Sequence, residues 1–230
     1  MSGEPRFALY WAPELDDPLR ALGSAWLGRD AKTGAALAQP ALPGLDIAEI
    51  TADARLYGLH ATLKPPFRPA LGYEELERSA AHLAARTAPF ALPPLAVADL
   101  DGFLALRETA PCPPLQALAD AAVAALDHCR APPPEEELAR RRRAGLTPAQ
   151  EALLARWGYP YVFAEWRFHV TLTRRLSPEE KALVLPAVQA RLGAAASRPR
   201  QVASVCLFAQ RGPGAPFLLA RRFPLGGPVD

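Results

Sequence analysis

Leu59-His60-Ala61-Thr62-Leu63 and Phe168-His169-Val170-Thr171-Leu172 decide the reading of this chain. Each is short and carries apolar residues at alternate positions, the pattern of a strand with one buried face. In a strand, residues i and i+2 point to the same side. Each segment therefore offers an imidazole and a hydroxyl on one face and apolar side chains on the other. The chain has four histidines, and two of them stand in this arrangement. Thr fills 8 of 230 positions, so a given His has Thr two places on by accident in roughly 3–4% of cases. Half-buried strand histidines beside a threonine would look the same locally, so the repetition needs support from its surroundings.

That support is an internal duplication. After His60, residues 73–86 read as an amphipathic helix with Leu76, Ala80, Leu83 and Ala84 on one stripe. After His169, Ser177-Pro178-Glu179-Glu180 supplies an N-cap, a proline at the first helical position and a glutamate at the third. That helix is expected to run to about Leu192, with a kink at Pro186. Apolar stretches follow in both halves, 90–100 then 102–107 in the first, and 202–208 then 217–221 in the second, the latter pair split by a Gly-Pro-Gly turn at 212–214. Each half thus reads as His-x-Thr strand, helix, strand, turn, strand. Two such lobes facing each other would set two His-x-Thr units across one cleft.

The chain resembles the two-histidine (2H) phosphoesterases, whose members carry two His-x-Thr/Ser motifs on pseudo-symmetric lobes, and both motifs match without departure. Gly23–Asp30 (Gly-Ser-Ala-Trp-Leu-Gly-Arg-Asp), the run from His60 to Phe67, Trp157-Gly158-Tyr159-Pro160-Tyr161-Val162 and the run from Phe168 to Thr173 look like the branch of that superfamily found beside bacterial phosphonate-degradation genes. The resemblance covers nearly the whole chain. It implies an α+β fold of two pseudo-symmetric lobes, each an antiparallel sheet with helices outside, facing across a central cleft. The expected division is one lobe over 1–112 and a second over 113–230, within a single domain spanning 1–230. It further implies a metal-independent cyclic phosphodiesterase with no cofactor. The expected substrate is a small cyclic phosphate of a ribose or nucleotide, with a short RNA end as another possible ligand.

The chemistry fits the residue types. Cleaving a cyclic phosphate needs a base for the attacking water, an acid for the leaving oxygen and donors for the non-bridging oxygens. Histidine can serve as either base or acid near neutrality, so His60 and His169 are the expected pair. Thr62 and Thr171 are placed to donate to the phosphate. Continued alternation would put Lys64 on the face of His60, and Arg167 and Thr173 on the face of His169. Tyr10, opposite Phe7, Leu9 and Trp11 on the first strand (Arg6–Trp11), is expected to line the cleft or to sit in the core with one hydrogen bond. Trp26 and Arg29 read better as a buried Trp and a paired Arg than as substrate contacts. His82 and His128, on or at the ends of helices, receive no role.

Composition narrows the rest. Lys and Arg total 26 against 24 Asp and Glu, a net charge of +2 that argues against a large nucleic-acid footprint. Half the residues are apolar, which excludes a disordered chain. Cys112, Cys129 and Cys206 have neither disulfide-framework nor zinc-site spacing, and the start of the chain shows no leader pattern, so a cytoplasmic monomer with no membrane contact is expected. Segment 31–55 reads as loop. Residues 132–165 have no first-half counterpart. Three prolines, three glutamates and the run Arg140-Arg141-Arg142-Arg143 precede Thr147-Pro148-Ala149-Gln150, the pattern of an inserted helical hairpin. Two other functions stay open on the sequence: a binding module for RNA ends or phospho-ligands without turnover, and a His/His metal site lacking its further ligands.

Overall fold

Strand β1 (Arg6–Trp11) is buried on both faces, and this fixes it as a central strand. Phe7, Leu9 and Trp11 enter the main core, while Ala8 and Tyr10 enter a small second core with Cys206, Phe208 and Phe217. The computed structural model describes residues 4–227; the first three residues, read above for a leader, lie outside them. Around β1 an antiparallel sheet runs in the order β4-β5-β6-β2-β1-β8-β9, where β2 is Ala61–Phe67, β4 Leu95–Leu100, β5 Phe103–Glu108, β6 Val170–Arg175, β8 Ser204–Gln210 and β9 Leu218–Pro224. The short strands β3 (Phe90–Leu92) and β7 (Arg200–Val202) pair separately.

The fold is α+β, antiparallel, with helices packed outside. Helices α1 (Pro18–Leu27), α4 (Tyr73–Ala85), α5 (Pro113–Ala125) and α8 (Pro178–Ala196) send Leu19, Leu76, Leu118 and Val188 into the core. The sheet answers from one face with Leu9, Leu63, Leu104, Leu106, Val170, Leu172 and Leu207. Its opposite face carries the small second core and, beside it, the cleft.

Strands β2 and β6 meet at a single bridged pair, Ala61 with Val170. The sheet is therefore two half-sheets, β4-β5-β6 and β2-β1-β8-β9, joined at one point. Neither half-sheet is built from one half of the sequence, contrary to the expected division at residue 112. The second His-x-Thr strand pairs with β5 from the first half, and the first pairs with β1, which itself pairs with β8 from the second half. Apolar alternation fixes which face of a strand is buried but says little about which strand lies beside it.

Two other expectations are corrected. Segment 31–55 holds two short helices, α2 (Ile47–Ile50) and α3 (Ala52–Tyr57), the first capped by Asp46 and both burying apolar residues, Ile47, Ile50 and Ala54. Helix α8 continues past Leu192 to Ala196 with Pro186 inside it, the capping box of Ser177 and Glu180 and the buried Val184, Val188 and Leu192 outweighing one missing backbone bond. The first His-x-Thr strand holds Pro65 and Pro66 within it. It passes through both prolines to Phe67 by way of two register shifts, and bulges are where a sheet tolerates proline. In the 132–165 segment, helices α6 (Glu135–Arg142) and α7 (Pro148–Trp157) form a hairpin, with Gly158 at φ 72° closing α7 in the left-handed region.

Ala61 is fully buried at the bridge. Replacing it by Leu should overpack the seam and cost roughly 1–3 kcal/mol. At roughly 2–4 °C per kcal/mol for a chain of this size, thermal unfolding should shift visibly. Ala96→Leu, on the exposed side of β4, should stay within about 0.5 kcal/mol of the parent.

Candidate active site

The Ala61–Val170 pair acts as a local two-fold axis. Carrying the antiparallel register one residue to either side sets Thr62 opposite His169 and His60 opposite Thr171. Because Ala61 and Val170 point into the core, all four polar residues share the cleft face. Each histidine faces the other strand's threonine, and the two histidines lie on a diagonal, on the order of 7–8 Å apart by sheet geometry. A phosphate with a hydrogen bond on each side fits such a gap.

Both imidazoles are oriented in the same way. His60 Nδ1 lies 2.9 Å from the Gly58 carbonyl and His169 Nδ1 lies 2.8 Å from the Arg167 carbonyl, each two residues back along the chain. A carbonyl only accepts, so Nδ1 carries the proton and Nε2 keeps its lone pair. His60 Nε2 is 3.2 Å from Thr62 Oγ1. Gly58 adopts φ 79°, a conformation that favours glycine, and an added Cβ there would stand 2.6 Å from that of Ala31.

The two histidines differ in their surroundings. The His60 ring stacks on Tyr10 with centroids 3.9 Å apart. Burial, with a smaller push from His169, lowers its pKa to about 4 against the opposing Gly58 bond. The pKa of His169 is also lowered by burial; its carbonyl partner opposes this, Arg107 adds to it and Glu108 counters it. Arg107 is a residue the sequence reading missed: the β5–β6 register places it directly across from His169. Only a pairing partner reveals it, and the sequence did not name one.

Two expected substrate contacts are turned away for one reason. The β1–β2 pairing shifts register between Thr62 and Lys64, and the β5–β6 pairing shifts between Thr171 and Arg175. Each His-x-Thr strand is bulged just after its threonine, which inverts the alternation. The burial patterns from the residue after each His match: buried, intermediate, buried, buried, intermediate. Lys64 and Thr173, both four residues after a His, therefore point into the core. Lys64 Nζ donates to the Val123 carbonyl at 2.9 Å and pairs with Asp127 at 3.5 Å, and burial lowers its pKa to about 8. Thr173 Oγ1 accepts the Leu104 N–H at 3.0 Å.

The remaining candidates divide. Arg167 is exposed and lines the cleft beside His169. Tyr10 is fully buried against the cleft wall, its hydroxyl without a partner among the described residues, and burial raises its pKa well above the usual range. Trp26 donates to the Leu172 carbonyl at 3.0 Å, and Arg29 to the carbonyls of Arg55 and Leu56, so both hold the core. Among the described residues no three His, Cys, Asp or Glu cluster as metal ligands, and no helix is long and apolar enough to cross a membrane.

Two cavities meet at the quartet, sharing Thr62 and Tyr159. On the His60 side about 280 Å³ is walled by Arg6, Tyr10, Tyr57, Arg140 and Arg141; on the His169 side about 500 Å³ is walled by Phe103, Tyr161, Trp166, Arg167 and Arg175. The inserted hairpin supplies Arg140, Arg141, Tyr159 and Tyr161. Trp166 Nε1 donates to the Thr62 carbonyl at 2.8 Å and ties the end of that insertion to the first motif.

Lys64→Met tests the bulge. It should lower stability by roughly 1–2 kcal/mol, since the Val123 carbonyl loses its donor while Asp127 keeps Arg130. Turnover per folded molecule should stay within about twofold of the parent in steady-state assays.

Residues 62–218 match the family described as protein of unknown function (DUF1045). A protein of Janthinobacterium sp. (strain Marseille) named ribose 1,5-bisphosphate phosphokinase PhnN is 40% identical over 232 residues, covering 96% of this chain and 51% of its own. A protein of the same name from Laribacter hongkongensis (strain HLHK9) is 39% identical over 218 residues, covering 94% and 51%. The chain thus spans about half the length of the curated relatives it matches. Among solved structures, E. coli LigT complexed with 3′-AMP is 15% identical with a TM-score of 0.44, covering 96% of this chain and 98% of LigT. A structure described as a phosphoesterase is 16% identical with a TM-score of 0.43, covering 96% and 98%. The overlays span both chains but are loose. The family match begins inside the first His-x-Thr unit and ends at the first residue of β9, and by it this chain belongs to the DUF1045 family.

Proposed function

We propose that this chain is a 2H-type phosphoesterase that opens a small cyclic phosphate without a metal ion, using His60 as general base, His169 as general acid, and Thr62 and Thr171 as donors to the phosphate. One observation carries the reading. Two imidazoles, each with Nδ1 fixed on a carbonyl and Nε2 left with its lone pair, lie diagonally across two hydroxyls on one sheet face, His60 Nε2 within hydrogen-bond distance of Thr62 Oγ1. That geometry suits in-line displacement at phosphorus, with one base and one acid on opposite sides of a phosphate held by neutral donors.

In the proposed step, His60 Nε2 takes a proton from water as its oxygen attacks phosphorus. The ring P–O bond breaks, and the leaving oxygen takes the proton from His169 Nε2. His60 is the better base because its ring is pressed against Tyr10, where burial resists a resting charge. His169 is taken as the acid because a bound phosphate would favour its protonated form, with Glu108 acting in the same sense against burial and Arg107. A small ribose or nucleotide cyclic phosphate fits the paired cavities. The phosphonate connection rests on the names of the relatives, which describe proteins about twice as long. This chain contains no Gly-x-x-x-x-Gly-Lys-Ser/Thr phosphate loop, so the kinase chemistry in those names is not carried over to it.

The test is a panel of cyclic phosphates, 2′,3′-cyclic nucleotides and ribose cyclic phosphates, followed by phosphorus NMR in excess chelator. Ring opening should persist; dependence on an added divalent ion would favour a metal mechanism. His60→Ala and His169→Ala should each lower turnover about 10²–10⁴-fold, and Thr62→Val or Thr171→Val by up to roughly 10²–10³-fold. His82→Ala and His128→Ala serve as controls and should change little.

The pH profile follows from the directions of the shifts. The base must be neutral, so kcat/KM should fall as pH drops through about 4. The acid must be protonated, so kcat/KM should fall as pH rises through the pKa of His169, which burial holds below that of a free imidazole, about 6.5. The maximum is expected on the acid side of pH 6.5. A maximum above pH 8 would contradict the pair as assigned.

A further inference from the structure

The cavity beside His60 holds more positive charge than one reacting phosphate requires. Its wall includes three guanidinium groups, from Arg6, Arg140 and Arg141, and no carboxylate. Arg6 is anchored by a neutral partner, its Nε donating to Gln210 Oε1 at 2.7 Å. Arg141 stacks on Tyr159 at 4.5 Å and pairs with Glu137 at 2.8 Å, a carboxylate that also holds Arg68 at 3.2 Å. Among the described residues, neither Arg6 nor Arg140 is within 4.0 Å of a carboxylate.

A run of arginines at a helix C-terminus is ordinarily a solvated face that suits the dipole. Here the run is sorted. Arg142 turns outward and is neutralised by Glu135 and Glu151. Arg140 and Arg141 turn to the cleft. The neighbouring depression of about 560 Å³ also contains Arg6, Arg68, Arg140 and Arg143, but it is lined by Glu4, Glu136 and Glu137 as well, so its charge is mixed. A second, independent sign is in the cleft wall. The Tyr10 hydroxyl is fully buried without a partner, and so is Arg141 Nε. Buried polar atoms are seldom left unpaired, and two on one cavity mark places for the oxygens of a ligand.

We propose that Arg6, Arg140 and Arg141, with the Tyr10 hydroxyl, form a second-anion subsite, so that the substrate is a cyclic phosphate bearing a separate phosphomonoester. This rests on the reading above for the reacting phosphate. The charges match: the cyclic diester carries one negative charge and meets the two His-x-Thr units. Arg6 and Arg140 leave two positive charges uncompensated, which a phosphomonoester of about −1.5 to −2 at pH 7 would balance. Guanidinium groups suit its oxygens by geometry as well as charge.

Two pairs of probes test it. Adenosine 2′,3′-cyclic phosphate is compared with its 5′-phosphorylated form for kcat/KM. 3′-AMP is compared with adenosine 3′,5′-bisphosphate for Kd by calorimetry, a readout that needs no turnover. In the parent, the second phosphate should improve both by about tenfold or more, as one charge-assisted contact would give. Arg6→Gln with Arg140→Gln should reduce that ratio towards one, and Arg140→Glu, a change at an exposed helix position, should reverse it. Tyr10→Phe keeps the ring on His60 and should cut the ratio in part. No preference in the parent, or a preference that survives the arginine changes, overturns the subsite. Cyclic phosphates left unopened while the arginine-dependent preference in Kd persists would overturn the His-x-Thr chemistry and leave the subsite standing.

Discussion

One bridged pair, Ala61 against Val170, holds the cleft together. Two half-sheets touch there and nowhere else along β2 and β6. Both side chains are fully buried, and one of them is a methyl group that lets the strands approach. With that pair fixed, pleating alone decides the rest: the residues on either side rise to the opposite face, and those residues are His60, Thr62, His169 and Thr171. The catalytic arrangement proposed for the chain needs no loop to converge on another. It follows from the register at one point.

The two-fold relation extends beyond the motifs. Both histidines stand one residue before their strands begin, both lock Nδ1 on the carbonyl two residues back, and both strands bulge just past the threonine. The flanking strands break the relation. Tyr10 pairs with Thr62, whereas Ala105 pairs with Thr171; extending each register sets Ala12 across from His60 and Arg107 across from His169. One imidazole is therefore pressed against an aromatic ring and the other stands beside a cation and a carboxylate. A duplicated scaffold supplies two equivalent groups, and their neighbours make them unequal, which acid–base chemistry requires.

Much of this was legible in the sequence. Alternation around His60 and His169 placed both on strands and on one face, and the capping signals at Ser177 and Thr147 marked α8 and α7 at their first residues. The failures share a cause. Lys64 and Thr173 were assigned by continuing a period of two through a bulge, and a bulge is a property of paired strands that neither strand shows alone. Arg107 was missed and the lobes were divided at residue 112 for the same reason: pairing partners are set by tertiary contacts, and one apolar strand looks much like another. The small helices α2 and α3 were hidden by the Gly, Pro and Ala around them, although Asp46 before Ile47 is a usable cap.

The exchange of strands between halves bears on how the cleft can work. If each lobe were one half of the chain, a hinge at residues 112–113 could open and shut it. Here β6 is paired to β5, and β1 to both β2 and β8, so moving the two halves of the chain apart about such a hinge would break ladders inside each half-sheet. The spacing of the two histidines is set where the half-sheets meet, at the single Ala61–Val170 pair. The segment with no counterpart in the first half carries Arg140, Arg141, Tyr159 and Tyr161 over the quartet and is tied back to it through the Trp166 contact to Thr62. On the proposed function, the duplicated strands form the floor that holds the reacting phosphate, and the insertion walls the space left for the rest of the ligand.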